Sequence, residues 1–458
     1  MSKTFRPWDV DQVWLLPPSI QDLVPSGHTA HFVRDTVRTG LDLSRIMDVY
    51  DEERGFPPYH PGMMVALLLY AYSQGIYSSR KIARGCEERL DFAAVTGMQR
   101  PDFRTISEFR KRHLAALSGL FWQVLALCRE AGLVKLGHVA LDGTKIKANA
   151  GIHKAMSYGR MKEAEPRLAA EVERWLAQAA QTDKAEDRQL GASKRGDEMP
   201  EWMANKEKRL EKIRTAKAAL ESEAKAKAAS KPDDDGSGDG GKGRPGRKSK
   251  PVTAEPSDKA QRNFTDPDSR VMPTKNGFIQ GYNAQAAVDG AHQIIVAHTL
   301  TNSPSDQAQL APLLDAIKAN LGNNPDEASA DAGYCSQANL RTLIRRRIEG
   351  YVATGRQKHG AKAATTKRKL KSGTLIARMS TKLKRAGYRS RYRLRKQIVE
   401  PVFGQIKQAR GFRQFLLRSI DKVKAEWAMI CTAHNLAKLG RTLRKNLSPQ
   451  KPFRTRFA

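Results

Sequence analysis

Apolar residues recur at helical spacing through most of the first 130 positions. The run from Pro61 to Tyr72 (PGMMVALLLYAY) is apolar on every side, which predicts a helix at the centre of a core. Ser78-Ser79-Arg80-Lys81-Ile82-Ala83-Arg84 reads as a capped helix start carrying basic residues. After a break at Gly97 and Pro101, Asp102 or Thr105 can cap a second helix through Ile106, Phe109, Arg110, Lys111 and Leu114. Phe121 to Cys128 predicts one more helix. The pattern then changes period. Val139 to Leu141 reads as a short buried strand ended by Asp142. Asn276-Gly277 and Asp289-Gly290 are hairpin signals on either side of Phe278 to Val288, with a partner strand expected over His292 to Leu300. Leu310, Leu313, Leu314, Ile317 and Leu321 return to helical spacing, with Asp306 near the start as a capping residue. Ala328 to Ala330 is a small-residue strand ending in Asp331. A helix through Leu343, a short strand over Gly350 to Thr354 and a helix around Glu400 follow, and Trp427, Ile430 and Leu436 close the core.

Between these two patterned regions the composition shifts. Residues 161–180 and 202–229 are charged, Ala-rich and helical in character, broken around 191–200, and Trp175 and Trp202 could lock them as a hairpin. Residues 231–258 are rich in Pro, Gly, Ser and Asp and are expected to be disordered. Within them, Gly243-Arg244-Pro245-Gly246-Arg247-Lys248 suits a solvated linker better than a minor-groove hook. The expected layout is a helical amino-terminal domain over 1–130, an α/β domain over 131–155 and 262–440, an insertion at 156–261 and a basic tail at 441–458. The α/β domain is expected to hold a mixed five-strand sheet in the order strand-strand-strand-helix-strand-helix-strand-helix, the order of RNase H.

Charge narrows the partner. The 458 residues hold 80 Lys+Arg against 48 Asp+Glu, a formal net charge of +32. Solvated surface explains high charge content, but not such an excess of one sign, and nucleic acid is the indicated partner. From Arg356 to Val399 there are 16 Lys+Arg and no Asp or Glu, as expected of a surface lying against a DNA backbone. No apolar run approaches the roughly 18 residues of a membrane span, and no signal peptide opens the chain. Cys86, Cys128, Cys335 and Cys431 lack CxxC spacing and read as reduced thiols of a cytoplasmic protein. From spacing alone, the helices before 130 fit either a helix-turn-helix that reads DNA, with Arg80, Lys81, Arg110 and Lys111 as contacts, or a bundle with solvated charges.

The candidate chemistry lies in three carboxylates. Asp142 and Asp331 end small-residue strands, and Glu400 sits in a helical setting flanked by bases. Two strands and a helix carrying three carboxylates are what a two-magnesium phosphoryl-transfer site needs. Among competitors, Asp289 is explained by its turn, Asp306 by its cap, and Asp266 and Asp268 by a Pro-flanked loop. Pro401 disfavours helix at the residue before it, so Glu400 is expected at a kink or a helix start. Lys407, two turns on, would share its face.

The segments LDGTKIKANA (141–150), TDPDSRVMPTKNGFIQGYNAQAAVD (265–289), DAGY (331–334) and VEPVFGQIK (399–407) resemble the transposases of bacterial insertion sequences. The resemblance spans most of the chain except the insertion and the tail. It implies an RNase H-like catalytic domain named for its Asp-Asp-Glu triad, here Asp142, Asp331 and Glu400. Two Mg²⁺ ions (Mn²⁺ as a substitute) are implied as cofactors. Double-stranded DNA is the implied partner, both the element's terminal inverted repeats and the target, bound by a homodimer or higher oligomer close to the nucleoid. Tyr392, Arg395, Glu400 and Lys407 match the family's Tyr-Arg-Glu-Lys signature, with the Arg-to-Glu gap one residue longer than in some branches. That extra residue leaves either Arg395 or Lys396 as the phosphate contact; Lys145 joins the DNA-contacting set. The expected activity is DNA cleavage and strand transfer, and the rivals are a non-catalytic DNA-binding derivative and an RNase H-like nuclease.

Overall fold

The computed structural model describes residues 19–446 apart from 20, 23, 51–57, 191–200, 230–254, 275, 356–361 and 367–369. The proposed linker with its Gly243–Lys248 motif, parts of the basic stretch and most of the basic tail therefore lie outside the described residues. Before the first strand every described element is helical: α1 (Thr29–Gly40), α2 (Ser44–Met47), α3 (Pro61–Ser73), α4 (Ser79–Glu88), α5 (Leu90–Thr96), α6 (Phe103–Arg112) and α7 (Leu114–Glu130). Local chemistry sets their ends. Pro61 opens α3 and the His60 ring accepts the Gly62 N–H, Asp102 caps α6 by accepting from Arg104, and Gly97 stops α5 at φ +62°. Helix α3 is buried almost from end to end because α1, α5 and the late helix α14 (Ile420–Asn446) surround it.

The sequence suggests a separate amino-terminal domain, yet one hydrophobic cluster runs from Val65, Leu68 and Phe92 through Trp427 and Leu436 to Val139 and Leu141. Helix α14 joins the two halves by packing on α3 and α7 on one side and on the sheet on the other. The apolar face of the amino-terminal helices is thus part of the sheet's own core.

In that sheet β1 (His138–Lys147) is central. It runs antiparallel to β5 (Gly277–Asp289), which also pairs with β4 (Arg270–Thr274) and β6 (Ile295–Thr301). On its other edge β1 is parallel to β7 (Glu327–Ala330), which is parallel to β8 (Glu349–Val352). The main sheet thus has six strands and not the five expected, β4 being the addition. Helices α10 (Leu310–Leu321) and α11 (Gln337–Arg345) follow β6 and β7, and the buried residues of α10 are the five picked out by spacing. In β5, alternation is lost from Gln280 onward because the strand is buried on both faces. Nor does β1 stop at Asp142: it continues five residues further on its β5 side, while its pairing with β7 ends at Leu141↔Ala330. Asp289-Gly290 is not a two-residue turn, since the Asp289 carboxylate accepts from the N–H groups of Leu136 and Ala291 and β6 starts only at Ile295.

Gly281 marks where β5 passes from β4 to β1. A β-carbon there would lie 2.3 Å from the Ile146 carbonyl oxygen, a backbone atom with no rotamer to yield. Gly281→Ala is expected to destabilise the protein by about 1–3 kcal/mol, the usual cost of overpacking. Denaturant unfolding checks this, and an unchanged midpoint would mean that the two strands have slack at this crossing.

The insertion forms a helical hairpin of α8 (Tyr158–Leu190) and α9 (Glu201–Ala229), with a two-stranded sheet of β2 (Ala155–Ser157) and β3 (Gln261–Asn263) at its base. It has its own small core of Tyr158, Met161, Leu168, Leu210, Ile213 and Leu220. Glu165 pairs with Lys217 at 2.8 Å, and Glu223 ties the hairpin to Arg262 and Arg270. Trp175 is half-buried outside that core and is not the lock expected, while the Trp202 side chain lies outside the described residues. After β8 come α12 (Leu375–Ala386) and α13 (Leu394–Gly404), so part of the basic stretch is ordered helix.

Candidate active site

Asp142 and Asp331 each lie one residue past the last paired position of two parallel neighbouring strands, Leu141↔Ala330. The end of that pairing brings both carboxylates to the same level of the sheet. The Asp142 side chain is 16% exposed and its Oδ2 accepts from Arg395 Nη1 at 2.6 Å. Burial, reinforced by nearby Asp331 and Asp306, pushes its carboxyl up to about 7 despite that arginine. Burial raises the Asp331 carboxyl as well, against a hydrogen bond from the Gly333 N–H at 2.8 Å.

The other nitrogen of the same guanidinium reaches Glu400, Arg395 Nη2 to Oε1 at 3.0 Å. One arginine, 12% exposed, therefore stands between Asp142 and the 47%-exposed Glu400. Glu400 is in the middle of α13 and not at a kink or a helix start. Pro401 is accommodated because the carbonyl it leaves without a helical donor, that of Gln397, accepts from the Gln293 side chain at 2.9 Å. Beyond α13 the chain widens into a π-helical turn, Gln405–Ala409. Lys407 on that turn reaches back to β1, donating to Thr144 Oγ1 at 3.0 Å and to the Lys145 carbonyl at 3.2 Å. Lys145 itself bonds Asp306 at 3.1 Å.

Asp306 is the residue the sequence reading misplaced. It occupies the first-cap position of a short 3₁₀ turn, Gln307–Gln309, but makes no side-chain capping bond. Its Oδ1 accepts from Asn283 at 2.6 Å and Gln285 at 2.7 Å instead, beside Asp142 and Asp331. The signal was available in Asn283 and Gln285, buried amides on one face of a strand, which need partners. The remaining rivals are structural, as read: Asp289 holds its turn, Asp266 accepts from Tyr282, and Asp268 accepts the Ile420 N–H.

The candidate DNA contacts do not lie on one surface. Arg395 faces the carboxylates, whereas Lys396 is exposed on a concave surface with Tyr388, Arg389, Arg391 and Arg393. Tyr392 is buried against Ala353, Ala364 and Leu383. In the amino-terminal helices Arg80, Lys81 and Lys111 are exposed, and Arg80 lies over the Phe103 ring in a groove with Tyr50, Arg104 and Arg112. Arg110, expected among these contacts, faces inward. It is buried and donates to Tyr72, Ser79 and the Tyr77 carbonyl, so its charge serves the helix packing and not an outside ligand.

Comparison with known families decides what this arrangement belongs to. Residues 249–436 match the model described as "Transposase DDE domain", and residues 18–112 match "Transposase domain (DUF772)". The chain belongs to the DDE-domain transposases of insertion sequences. No curated protein and no solved structure matches it. The match to the DDE domain contains Asp306, Asp331 and Glu400, while Asp142 lies upstream of it across the insertion. For this transposase the family implies DNA as the substrate and a divalent metal ion as cofactor.

The transposase's own residues can be tested against such an ion. Among the described residues no three His, Cys, Asp or Glu side chains already stand as a cage. The reason is visible: Arg395 and Lys145 hold Asp142 and Asp306 by their oxygens, each as a counter-charge. The donor set nevertheless fits a hard cation, being carboxylate oxygens only. Space is kept open by two glycines next to the strand-end aspartates. A β-carbon on Gly143 would lie 2.7 Å from Asp306 Oδ1, and one on Gly333 would lie 3.0 Å from Asp331 Oδ1 and 3.1 Å from Asp306 Oδ2. Among the described residues no helix is long and apolar enough to cross a membrane.

Proposed function

We propose that this transposase binds the ends of its own insertion sequence and catalyses Mg²⁺-dependent strand cleavage and strand transfer, with Asp142, Asp331 and Glu400 holding two ions. The single observation carrying this reading is the pair of aspartates one step past the last β1–β7 pair, facing Arg395 and Glu400 on α13, within a DDE-domain transposase. The strand order β6-β5-β1-β7-β8, three antiparallel strands followed by two parallel ones, supports an RNase H-like catalytic domain over 131–155 and 262–440.

When bound, the ions supply activation of a water or a DNA 3′-hydroxyl and stabilisation of the leaving oxygen. The chain's part is positional. Asp142 is held within β1 and Asp331 directly after β7, so their backbone needs no reordering to receive cations. Arg395 is the counter-charge that must yield Asp142 and Glu400, and its planar fork then suits a DNA phosphate at the same place. Lys145 on β1 and Lys407 bonded against it stand ready for the backbone of the cleaved strand. Lys396, with the arginines around it, extends this surface outward. Arg80, Lys81 and Lys111 take the element end, from helices that 1–130 contributes for end recognition, in a homodimer or larger assembly on DNA. Tyr392 acts from beneath, by packing under Arg395. The segment 156–261 is read as an insertion tangential to the chemistry, and 441–458 as a basic tail whose first residues continue α14 through Asn446.

The test is nicking of duplex DNA carrying the inverted repeats that flank the gene. Cleavage with a free 3′-hydroxyl is expected in Mg²⁺ and none in a chelator, and duplex affinity should fall steeply with salt as counterions are released. Salt-sensitive binding without any cleavage, in Mg²⁺ or Mn²⁺, would favour the non-catalytic DNA-binding derivative.

A further inference from the structure

We propose that Asp306 is a fourth carboxylate of the metal centre, held by β5 beside the two strand-end aspartates. The proposal rests on the transposase reading above and adds a ligand to it. Asp306 starts a 3₁₀ turn but spends no side-chain oxygen on capping it. Its Oδ1 is gripped by Asn283 and Gln285, two fully buried amides spaced two residues apart and so on one face of β5. Gln285 cannot turn its amide over freely, because its Oε1 takes the hydroxyl of buried Tyr334 and its Nε2 is thereby presented to Asp306. Amide donors orient a carboxylate without neutralising it, and among the described residues the only cation bonded to it is Lys145. The three donors converge on Oδ1, while Oδ2 is the oxygen that meets Asp331 across Gly333.

The two glycines make this close approach possible. A β-carbon on Gly143 would lie 2.2 Å from Gln285 Nε2 and 2.7 Å from Asp306 Oδ1, displacing amide and carboxylate together. One on Gly333 would enter the space between Asp306 Oδ2 and Asp331 Oδ1, at 3.1 and 3.0 Å. A carboxylate needed only as the partner of Lys145 could pair with it at the surface, at little cost in desolvation. This one is brought inward among like charges, an arrangement that a divalent cation stabilises.

Mn²⁺ titrated into the full-length protein without DNA, with free Mn²⁺ followed by electron paramagnetic resonance, tests the proposal. Asp306→Asn keeps an acceptor for Asn283, Gln285 and Lys145 but loses the charge, and is expected to weaken Mn²⁺ binding about 10- to 100-fold. Asp142→Asn should weaken it comparably, and Asp315→Asn, on the exposed Arg346 pair, should not. Wild-type affinity in Asp306→Asn alongside weak binding in Asp142→Asn would remove Asp306 from the centre and leave the transposase reading intact. A wild-type protein that binds no Mn²⁺ would overturn both. A second measurement needs no variant: Fe²⁺ with ascorbate and peroxide releases hydroxyl radicals at the bound ion and cuts the nearest backbone. Cuts are expected near 142, 306 and 331, and cuts near 142 and 331 alone would exclude Asp306.

Discussion

Asp142→Asn and Asp331→Asn are each expected to lower strand cleavage by about three orders of magnitude or more, with DNA binding retained. On the proposed reading each removes a charged ligand from a metal centre whose cations would stabilise the transition state by several kcal/mol, and every ~1.4 kcal/mol is tenfold in rate. Stability should move the other way for Asp142. Its carboxyl is raised to about 7 in the folded protein, above its value in the unfolded chain. A raised carboxyl contributes stability that is complete below the unfolded value and is lost as pH rises through about 7. Above that pH the wild type carries a buried charge that asparagine does not. At pH 8 the Asp142→Asn protein should therefore melt no lower than wild type, and any rise should shrink toward pH 5. Nicking at matched DNA occupancy, together with melting at the two pH values, separates loss of chemistry from loss of fold. A variant that cleaves within tenfold of wild type would take Asp142 out of the site.

How much of this could be read from the sequence depends on what each residue answers to. The strand-end aspartates were legible because a carboxylate after a small-residue apolar run is unusual, and the pairing register places both at one level. The helix over 310–321 was legible because a helix packed on one face keeps its period. Asp306 was not: a carboxylate ahead of a helix looks like a cap, and only the fold reveals that Asn283 and Gln285 reach it first. Arg110 failed for a related reason. Its neighbours in sequence are basic and exposed, but helical rotation turns it inward onto Tyr72 and Ser79. The amino-terminal helices looked detachable because their periodicity is self-sufficient. Which surface covers their apolar faces is a tertiary fact, and here α14 does so from the far end of the chain. Deleting 1–130 would uncover the side of that helix turned away from the sheet, so the proposed end recognition is better dissected by substitution at Arg80, Lys81 and Lys111.

Glu400→Gln is expected to reduce cleavage by two or more orders of magnitude while leaving folding and DNA affinity intact. The substitution keeps the size of the side chain and an oxygen for Arg395, and removes one negative charge beside the centre. Geometry gives this variant its value. Glu400 is half exposed and meets Asp142 only through the Arg395 fork, so in the absence of metal it resembles a surface ion pair worth roughly 0–1 kcal/mol. Were that all, glutamine would be nearly silent in every assay. If instead cations displace the guanidinium, Glu400 and Asp142 become ligands on either side of the space it vacates, and the lost charge is felt in the chemical step. Melting cannot tell the two apart, since both predict little change; cleavage at saturating DNA can. Affinity for the element end should hold or rise slightly, because a carboxylate facing phosphate has been neutralised. Near-normal nicking by Glu400→Gln, beside inactive Asp142→Asn and Asp331→Asn, would leave Asp306 as the third carboxylate of the centre and Glu400 as the partner that holds Arg395 in place.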